Sequence, residues 1–176
     1  MLTTEQGPAI SIEPAFLHDH AALFQELLHS VQWNTSMKAR STASFGVPYN
    51  YSQIAYAEAP MPDILLPVAA KLKHALQIEF NNCLLNYYES GNNSMGFHSD
   101  DTTGLQPGTG VAIVSLGSQR DISYRSKVDP QNEHAYRLEP GSLLYMDAAI
   151  QDHWTHAIKR QVNAGPRVSL TWRAFA

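Results

Sequence analysis

A histidine and a carboxylate two positions apart are the first residues whose types and spacing could support chemistry. On a β-strand, His98 and Asp100 would point to the same face. A second histidine, His156, follows much later in the chain. Two histidines and one carboxylate form the facial triad that binds non-haem Fe(II) and leaves coordination positions open for oxygen and a co-substrate. The three residues therefore indicate a candidate metal site.

Other interpretations of these residues stay open at this level. His98 and Asp100 are also compatible with exposed polar residues beside an Asn-rich turn, and His153 competes with His156 as the third ligand. With Zn²⁺ the same ligands would suit a metallohydrolase, and a non-catalytic binding module would use them without turnover. The chain lacks the G-x-S-x-G motif of serine hydrolases.

The C-terminal segment alternates polar and apolar side chains in the manner of a β-strand. Its polar face carries Arg167, Ser169, Thr171 and Arg173. If the apolar face packs into the core, these arginines lie inside the fold, where unpaired guanidinium groups are costly. They then require opposing acids or a dianion such as 2-oxoglutarate, because arginine binds carboxylates in a bidentate manner. A solvated edge strand is the alternative.

An earlier segment repeats the same spacing with hydrogen-bonding side chains. Asn86 and Tyr88 would share one strand face, and each offers a donor to a carboxylate oxygen. The alternative for Tyr88 is an ordinary half-buried strand tyrosine. The pair is therefore a second candidate for binding a carboxylate ligand.

Two amphipathic helices and a series of short strands must position these residues. Apolar residues recur at helical spacing over 18–31 and 62–80, and the intervening residues 33–60 predict a structured loop or short strands. Turn signals further along separate predicted strands at 83–88, 95–98, 111–116, 122–125, 135–138, 142–146 and 166–175. This pattern favours a sandwich or barrel with the helices on one side.

Composition and charge exclude several classes of protein. The 176 residues are 44% hydrophobic and 16% charged, which suits one globular domain and argues against disorder. The single cysteine, the lack of a long apolar stretch and the lack of a signal peptide predict a cytoplasmic protein that does not bind membranes. The net charge of −4 argues against a wholly basic surface. Six basic residues could either be scattered over a solvated surface or form a local basic strip. They are Arg120, Arg125, Lys127, Arg137, Lys159 and Arg160.

Six short motifs follow one another over about residues 83–175. They are Asn86-x-Tyr88, His98-x-Asp100, Ser115-Leu116-Gly117, Gly141-Ser142-Leu143-Leu144, Trp154-x-His156 and Arg167-x-Ser169-Leu170-Thr171-x-Arg173. In order and spacing they resemble the AlkB family of Fe(II)/2-oxoglutarate-dependent dioxygenases, of the type that repairs alkylated nucleic acid. Upstream, the segment from Arg40 to Tyr51 resembles the substrate lid of AlkB-type DNA repair enzymes.

The resemblance implies an α+β, mainly β fold. Its core is a double-stranded β-helix (jelly roll), preceded by N-terminal helices and a substrate lid. We therefore expect a single domain over 1–176, with a helical and lid section at 1–82 and the jelly-roll core at 83–176. We also expect a monomer.

The resemblance also implies roles for individual residues. Fe(II) would bind His98, Asp100 and His156, because the Trp-x-His context favours His156 over His153. The co-substrate 2-oxoglutarate would be bound by Asn86, Tyr88, Arg167, Ser169, Thr171 and Arg173, with Arg167 at its distal carboxylate. For the substrate, Tyr51 and Tyr49 would stack on a base opposite His98, and polar contacts would come from Arg40 and Asp101.

The implied activity is oxidative demethylation with Fe(II), 2-oxoglutarate and O2. The substrates would be N-alkylated bases of the 1-methyladenine or 3-methylcytosine type in single-stranded or flipped-out DNA or RNA. The products would be formaldehyde, succinate and CO2. Many repair members carry a further acidic residue where this chain has Thr102. The alternative function keeps the oxygenase chemistry but hydroxylates or demethylates a small molecule or a protein side chain.

Overall fold

The computed structural model describes residues 6–51 and 53–176. Helices are concentrated in the first half of the chain, and strands predominate in the second half. The elements in chain order are β1 (Ile10–Glu13), α1 (His20–Ser30), β2 (Ser41–Gly46), β3 (Tyr49–Tyr51), β4 (Ile54–Tyr56), a 3-10 turn (Asp63–Leu65), α2 (Leu66–Leu76), β5 (Asn82–Tyr88), β6 (Met95–His98), β7 (Gly110–Gly117), β8 (Arg120–Ser126), β9 (Glu133–Leu138), β10 (Leu143–Asp147), α3 (Ile150–His153), β11 (Trp154–Ile158) and β12 (Arg167–Arg173).

Most strands belong to two antiparallel sheets that share a buried apolar layer. The larger sheet has the order β1-β10-β7-β12-β5-β2, and the smaller has the order β6-β11-β8-β9. The apolar layer includes Ile113 and Leu144 from the larger sheet and Ile122 and Ile158 from the smaller. Burial of such side chains stabilises the fold by about 25 cal/mol per Å² of apolar surface. The sheets therefore form a sandwich, and β3 pairs with β4 as a separate hairpin.

The helices α1 and α2 cover the outer face of the larger sheet. Leu27 of α1 and Leu72 of α2 belong to the same fully buried cluster as Val168, Leu170 and Trp172 of β12. Because side chains alternate along a strand, the polar face of β12 turns towards the inside of the sandwich. β12 lies between β7 and β5, so the alternative of a solvated edge strand is wrong.

The first two helices are shorter than the sequence predicts. The predicted helix over 62–80 begins with a 3-10 turn and ends at Leu76, because Gln77 adopts a left-handed conformation with φ of 57°. Pro67 lies in the first turn of α2, where a missing N–H is tolerated. The helix predicted over 18–31 is α1. Within the described residues, no helix is both long and apolar enough to cross a membrane.

The seven predicted strands correspond to β5–β10 and β12, each within a few residues. β1 and β11 were not predicted, because β1 is a short edge strand and β11 follows directly on the short helix α3. The segment 33–60 contains β2, β3 and β4. The section 1–82 thus supplies β1 and β2, the two outer strands of the larger sheet. The division into one domain with two sections stays a prediction.

Candidate active site

Two paired strands bring the predicted metal ligands together. β6 and β11 pair so that His98 lies opposite His156, and the centroids of the two imidazole rings are 4.4 Å apart. Oδ1 of Asp100 is 3.3 Å from Nε2 of His98 and 3.6 Å from Nε2 of His156. The donor atoms of all three residues lie within 4.8 Å of one another. This donor set is one that suits Fe(II).

The carboxylate reaches the cluster from a loop rather than from a strand. β6 ends at His98, as the predicted strand 95–98 does, so Asp100 lies beyond the strand and the shared strand face does not account for its approach to His98. Asp100 lies two residues further on, and its backbone N–H donates to Oε1 of Gln151 at 2.7 Å. His153 is exposed at the end of α3 and does not belong to the cluster.

The protonation states of the cluster suit a metal ion. Burial by itself would raise the pKa of Asp100, but Arg173, helped by the two histidines, lowers this pKa well below its usual range. Nη2 of Arg173 donates to Oδ2 of Asp100 at 3.1 Å. Burial lowers the pKa of His156 to about 4, against an opposing contribution from Asp100. Asp100 is therefore ionised and His156 neutral at pH 7, as metal ligands must be.

The ring of His98 is oriented by its own strand. Its Nδ1 lies 2.8 Å from the carbonyl oxygen of Gly96, so Nδ1–H donates to that oxygen in the neutral ring. This contact leaves Nε2 facing Asp100 as the atom able to bind a metal. A backbone carbonyl that orients the second nitrogen is typical of metal-binding histidines.

A pocket between the sheets connects the metal cluster to the polar face of β12. Arg167 is only 1% exposed, and its Nη2 donates to Oγ of Ser115 at 2.9 Å. Its Nε and Nη1 find no hydrogen-bond partner in the described part of the chain, and no carboxylate there forms a salt bridge with it. Burial lowers the pKa of Arg167 to about 10. The pocket is lined by the three cluster residues and by polar residues that include Asn86, Tyr88, Arg167, Ser169, Thr171 and Arg173.

A buried cation with unused donors fits an anionic ligand. The six polar residues predicted to bind 2-oxoglutarate all line this one pocket, with the metal cluster at the same place. A dicarboxylate bound there would supply the negative charge that Arg167 lacks in the described residues. The residues present therefore fit both Fe(II) and 2-oxoglutarate.

Arg120 is a buried residue of this region that the sequence did not indicate. It is 0% exposed and donates to the carbonyl oxygens of Ser90, Asn93 and Lys159. Its guanidinium carbon lies 5.3 Å from the ring centroid of Tyr88. A local basic strip that includes Arg120 is therefore wrong. Its alternation with the buried Ile122 and Tyr124 is a signal in the sequence that could have indicated its burial.

An open groove lies beside the metal cluster, where the substrate lid was predicted. Tyr49 and Asp101 both line it. The ring of Tyr49 lies 4.8 Å from the guanidinium carbon of Arg173 and 5.5 Å from the ring of Phe175. The backbone N–H of Thr103 donates to Asp101 at 2.8 Å. The prediction for Tyr51 concerns a side chain outside the described part of the structure.

Arg40 lines the same groove, but its guanidinium group donates hydrogen bonds to other residues of the protein. It is 6% exposed, and its Nε donates to Oδ1 of Asn86 at 2.9 Å. Its Nη1 donates to the carbonyl oxygen of Ser94 at 3.0 Å. Because Oδ1 of Asn86 accepts from Arg40, the amide N–H groups of Asn86 are its donors to the pocket. Arg40 therefore connects the groove to the pocket, and its predicted contact with substrate stays a prediction.

The fold and the site define a jelly-roll protein with a candidate mononuclear metal centre beside a pocket for an anion. The chain belongs to the 2OG-Fe(II) oxygenase superfamily, whose family model matches residues 13–173. The predicted cofactors Fe(II) and 2-oxoglutarate, with O2, are those of this superfamily.

Individual relatives agree with the predicted AlkB resemblance, which is confirmed. The chain is 29% identical over 177 residues to alpha-ketoglutarate-dependent dioxygenase alkB homolog 3 of Bos taurus, covering 89% of this chain and 62% of the relative. It is 32% identical over 153 residues to DNA oxidative demethylase ALKBH2 of Mus musculus, covering 81% of this chain and 63% of the relative. The chain thus spans less than two thirds of the length of these relatives.

A solved structure also agrees with the fold. The structure of OsALKBH1 superposes with a TM-score of 0.72 at 17% sequence identity, covering 96% of this chain and 99% of that chain. This likeness and the two antiparallel sheets confirm the predicted fold class, a mainly β jelly roll with N-terminal helices.

Proposed function

We propose that this protein is an Fe(II)- and 2-oxoglutarate-dependent dioxygenase that removes N-alkyl groups from nucleobases in single-stranded or flipped-out DNA or RNA. The observation that carries the proposal is the convergence of His98, Asp100 and His156 beside the buried Arg167. A relative named as a DNA oxidative demethylase, 32% identical, supports the choice of substrate. Cytoplasmic location and a monomeric state stay predictions.

In this proposal the two imidazole Nε2 atoms and Oδ1 of Asp100 hold the iron. When bound, Fe(II) and 2-oxoglutarate supply the activation of O2 and the oxidation of a C–H bond, with succinate and CO2 as products. Arg173 keeps Asp100 ionised and fixes its second oxygen. Arg167 binds the distal carboxylate of 2-oxoglutarate. Further hydrogen bonds to the co-substrate come from Asn86, Tyr88, Ser169 and Thr171.

The groove residues orient the target carbon in this proposal. Tyr49 and Tyr51 stack on the alkylated base, and Arg40 and Asp101 make polar contacts with it. The exposed carboxyl of Asp101 is ionised at pH 7, as an ordinary aspartate is, and its hydrogen bonds with Thr103 lower its pKa further. Its charge favours a cationic methylated base. Hydroxylation of an N-methyl carbon gives a hemiaminal that releases formaldehyde. The base must leave the stack, because the metal site lies inside a protein groove.

A second candidate keeps the chemistry and changes the substrate to a small molecule or a protein side chain. Two observations favour it. Thr102 stands where many repair members carry an acidic residue, and the net charge is −4, whereas nucleic-acid affinity depends largely on contacts between basic residues and phosphates.

The variant Tyr51→Ala separates the two candidates. With a methylated single-stranded oligonucleotide, loss of base stacking is expected to reduce demethylation by about 10-fold or more, since stacking contributes about 1–3 kcal/mol per base. Succinate formed without substrate is the internal control and is expected to stay at the wild-type level. Demethylation that is undiminished in Tyr51→Ala would contradict the stacking role of Tyr51. Succinate that accumulates in the wild type without any demethylated oligonucleotide would favour the second candidate.

A further inference from the structure

Of the three residues proposed to hold iron, Asp100 alone lies outside a strand. His98 and His156 are fixed by their positions in β6 and β11, whereas Asp100 follows the end of β6 in a loop. A ligand on a loop must be held by contacts from elsewhere if the site is to exist before the metal arrives. Arg173 holds the carboxylate of Asp100, so the remaining question is what holds its backbone.

Gln151 of α3 supplies that contact. It is 3% exposed, and its Oε1 accepts from the backbone N–H of Asp100 at 2.7 Å. Its Nε2 donates to the sulfur of Met146 at 3.2 Å, and the hydroxyl of Tyr124 donates to the same sulfur at 3.4 Å. Reversing the amide would place its N–H groups against the N–H of Asp100, so only one orientation satisfies both neighbours.

The preceding loop residue is held by the same part of the fold. Oγ of Ser99 donates to the carbonyl oxygen of Trp154 at 2.7 Å. Gln151 and Trp154 belong to the α3–β11 corner, the residues 150–156, which also carries His156. One corner therefore fixes two consecutive loop residues relative to the histidine that shares the metal with Asp100.

We propose that Gln151 is a positioning residue for the metal site, with Ser99 as a second and weaker one. The inference rests on the proposed binding of metal by His98, Asp100 and His156, and it adds a residue that touches neither metal nor co-substrate. Among the described residues that line the pocket, Gln151 does not appear. It acts through Asp100 by fixing the loop in the geometry that the metal requires.

The test is an anaerobic Co(II) titration of the metal-free protein, followed by visible absorption, with Gln151→Met as the main variant. Methionine keeps the chain length and the apolar contact but removes the acceptor for Asp100. The Co(II) dissociation constant is expected to rise about 10- to 100-fold, as for other outer partners of metal ligands. Ser99→Ala is expected to raise it less.

The matched control is Gln161→Met. Oε1 of Gln161 accepts from the backbone N–H of Asp121 at 3.2 Å, which is the same kind of contact that Gln151 makes with Asp100. Asp121 lies near the start of β8, whereas the proposed ligand His156 pairs with Tyr124 further along that strand. Its Co(II) affinity is expected to equal that of the wild type. The unfolding midpoint of each metal-free variant is measured as well, because a purely structural role would change that midpoint but not the affinity of folded protein.

The outcomes distinguish a failure of the proposed metal site from a failure of the positioning role of Gln151. If the wild type binds no Co(II), the proposed metal site itself is wrong. If the wild type binds and Asp100→Ala does not, while Gln151→Met and Ser99→Ala bind as the wild type does, only the positioning role is overturned. If Gln151→Met does not fold, the test rests on Ser99→Ala. Wild-type Co(II) affinity in that variant would then contradict the proposal that the α3–β11 corner positions the loop of Asp100.

Discussion

Replacing Arg167 with methionine is expected to stabilise the ligand-free protein and at the same time to weaken its binding of 2-oxoglutarate. Arg167 is 1% exposed, and the hydrogen bond it donates goes to the neutral hydroxyl of Ser115. Within 6–51 and 53–176, no salt bridge joins it to a carboxylate. Methionine has a similar length and no charge, so it fills the space without a desolvation cost.

The two effects have comparable magnitudes. Burial lowers the pKa of Arg167 from 12.5 to about 10, which corresponds to about 3 kcal/mol of destabilisation from holding the charge. The lost hydrogen bond to Ser115 offsets about 1 kcal/mol of the gain. A net gain of about 2 kcal/mol would raise the unfolding midpoint by about 4–8 °C in a domain of this size. Loss of a charge-assisted contact of about 1.5–3 kcal/mol would weaken 2-oxoglutarate binding about 10- to 100-fold.

Both quantities are measured on the same preparations. Thermal unfolding of the metal-free protein gives the stability, and anaerobic calorimetry with Co(II) present gives the 2-oxoglutarate affinity. Arg137→Met, which removes an exposed arginine from β9, is the control and is expected to change neither quantity. A variant Arg167→Met that unfolds at a lower temperature and binds 2-oxoglutarate normally would refute the assignment of this arginine to the co-substrate.

Three further predictions concern other parts of the site and the core. Asp100→Ala is expected to abolish metal binding in equilibrium dialysis while the circular dichroism spectrum is kept, and retained binding would contradict the ligand set. Arg40→Met removes the donor that orients Asn86, so the KM for 2-oxoglutarate is expected to rise about 10-fold; an unchanged KM would show that Asn86 needs no such partner. Burial raises the pKa of the fully buried Cys83 thiol, so a thiol reagent is expected to label it only on unfolding, and rapid labelling of the native protein would contradict its burial.

Local patterns in the sequence were sufficient for much of the fold. The alternation along β12 predicted which side chains face the core and which face the pocket, because strand geometry fixes the face of each residue. The turn signals likewise separated β5 to β10 correctly. The polar residues of β12 that line the pocket could therefore be predicted from the sequence.

What the sequence did not indicate depends on contacts between distant segments. Asp100 and Gln151 are 51 residues apart, and nothing in the local pattern of either links them. The buried position of Arg120 depends in the same way on carbonyl groups from the β5–β6 turn and from the end of β11. β11 itself is short, and its pairing with β6 and β8 is set by the sheet rather than by its own residues.

The most direct test of the proposed function is the ratio of two products. The protein is incubated with Fe(II), ascorbate, 2-oxoglutarate and a single-stranded oligonucleotide that carries one N-methylated base, and mass spectrometry quantifies succinate and demethylated base together. We expect both to accumulate together, in equal amounts once the succinate formed without substrate is subtracted, and the demethylated product to disappear in His98→Ala. Succinate without demethylated base would contradict the nucleic-acid substrate, and the absence of both from metal-loaded protein would contradict the dioxygenase assignment itself.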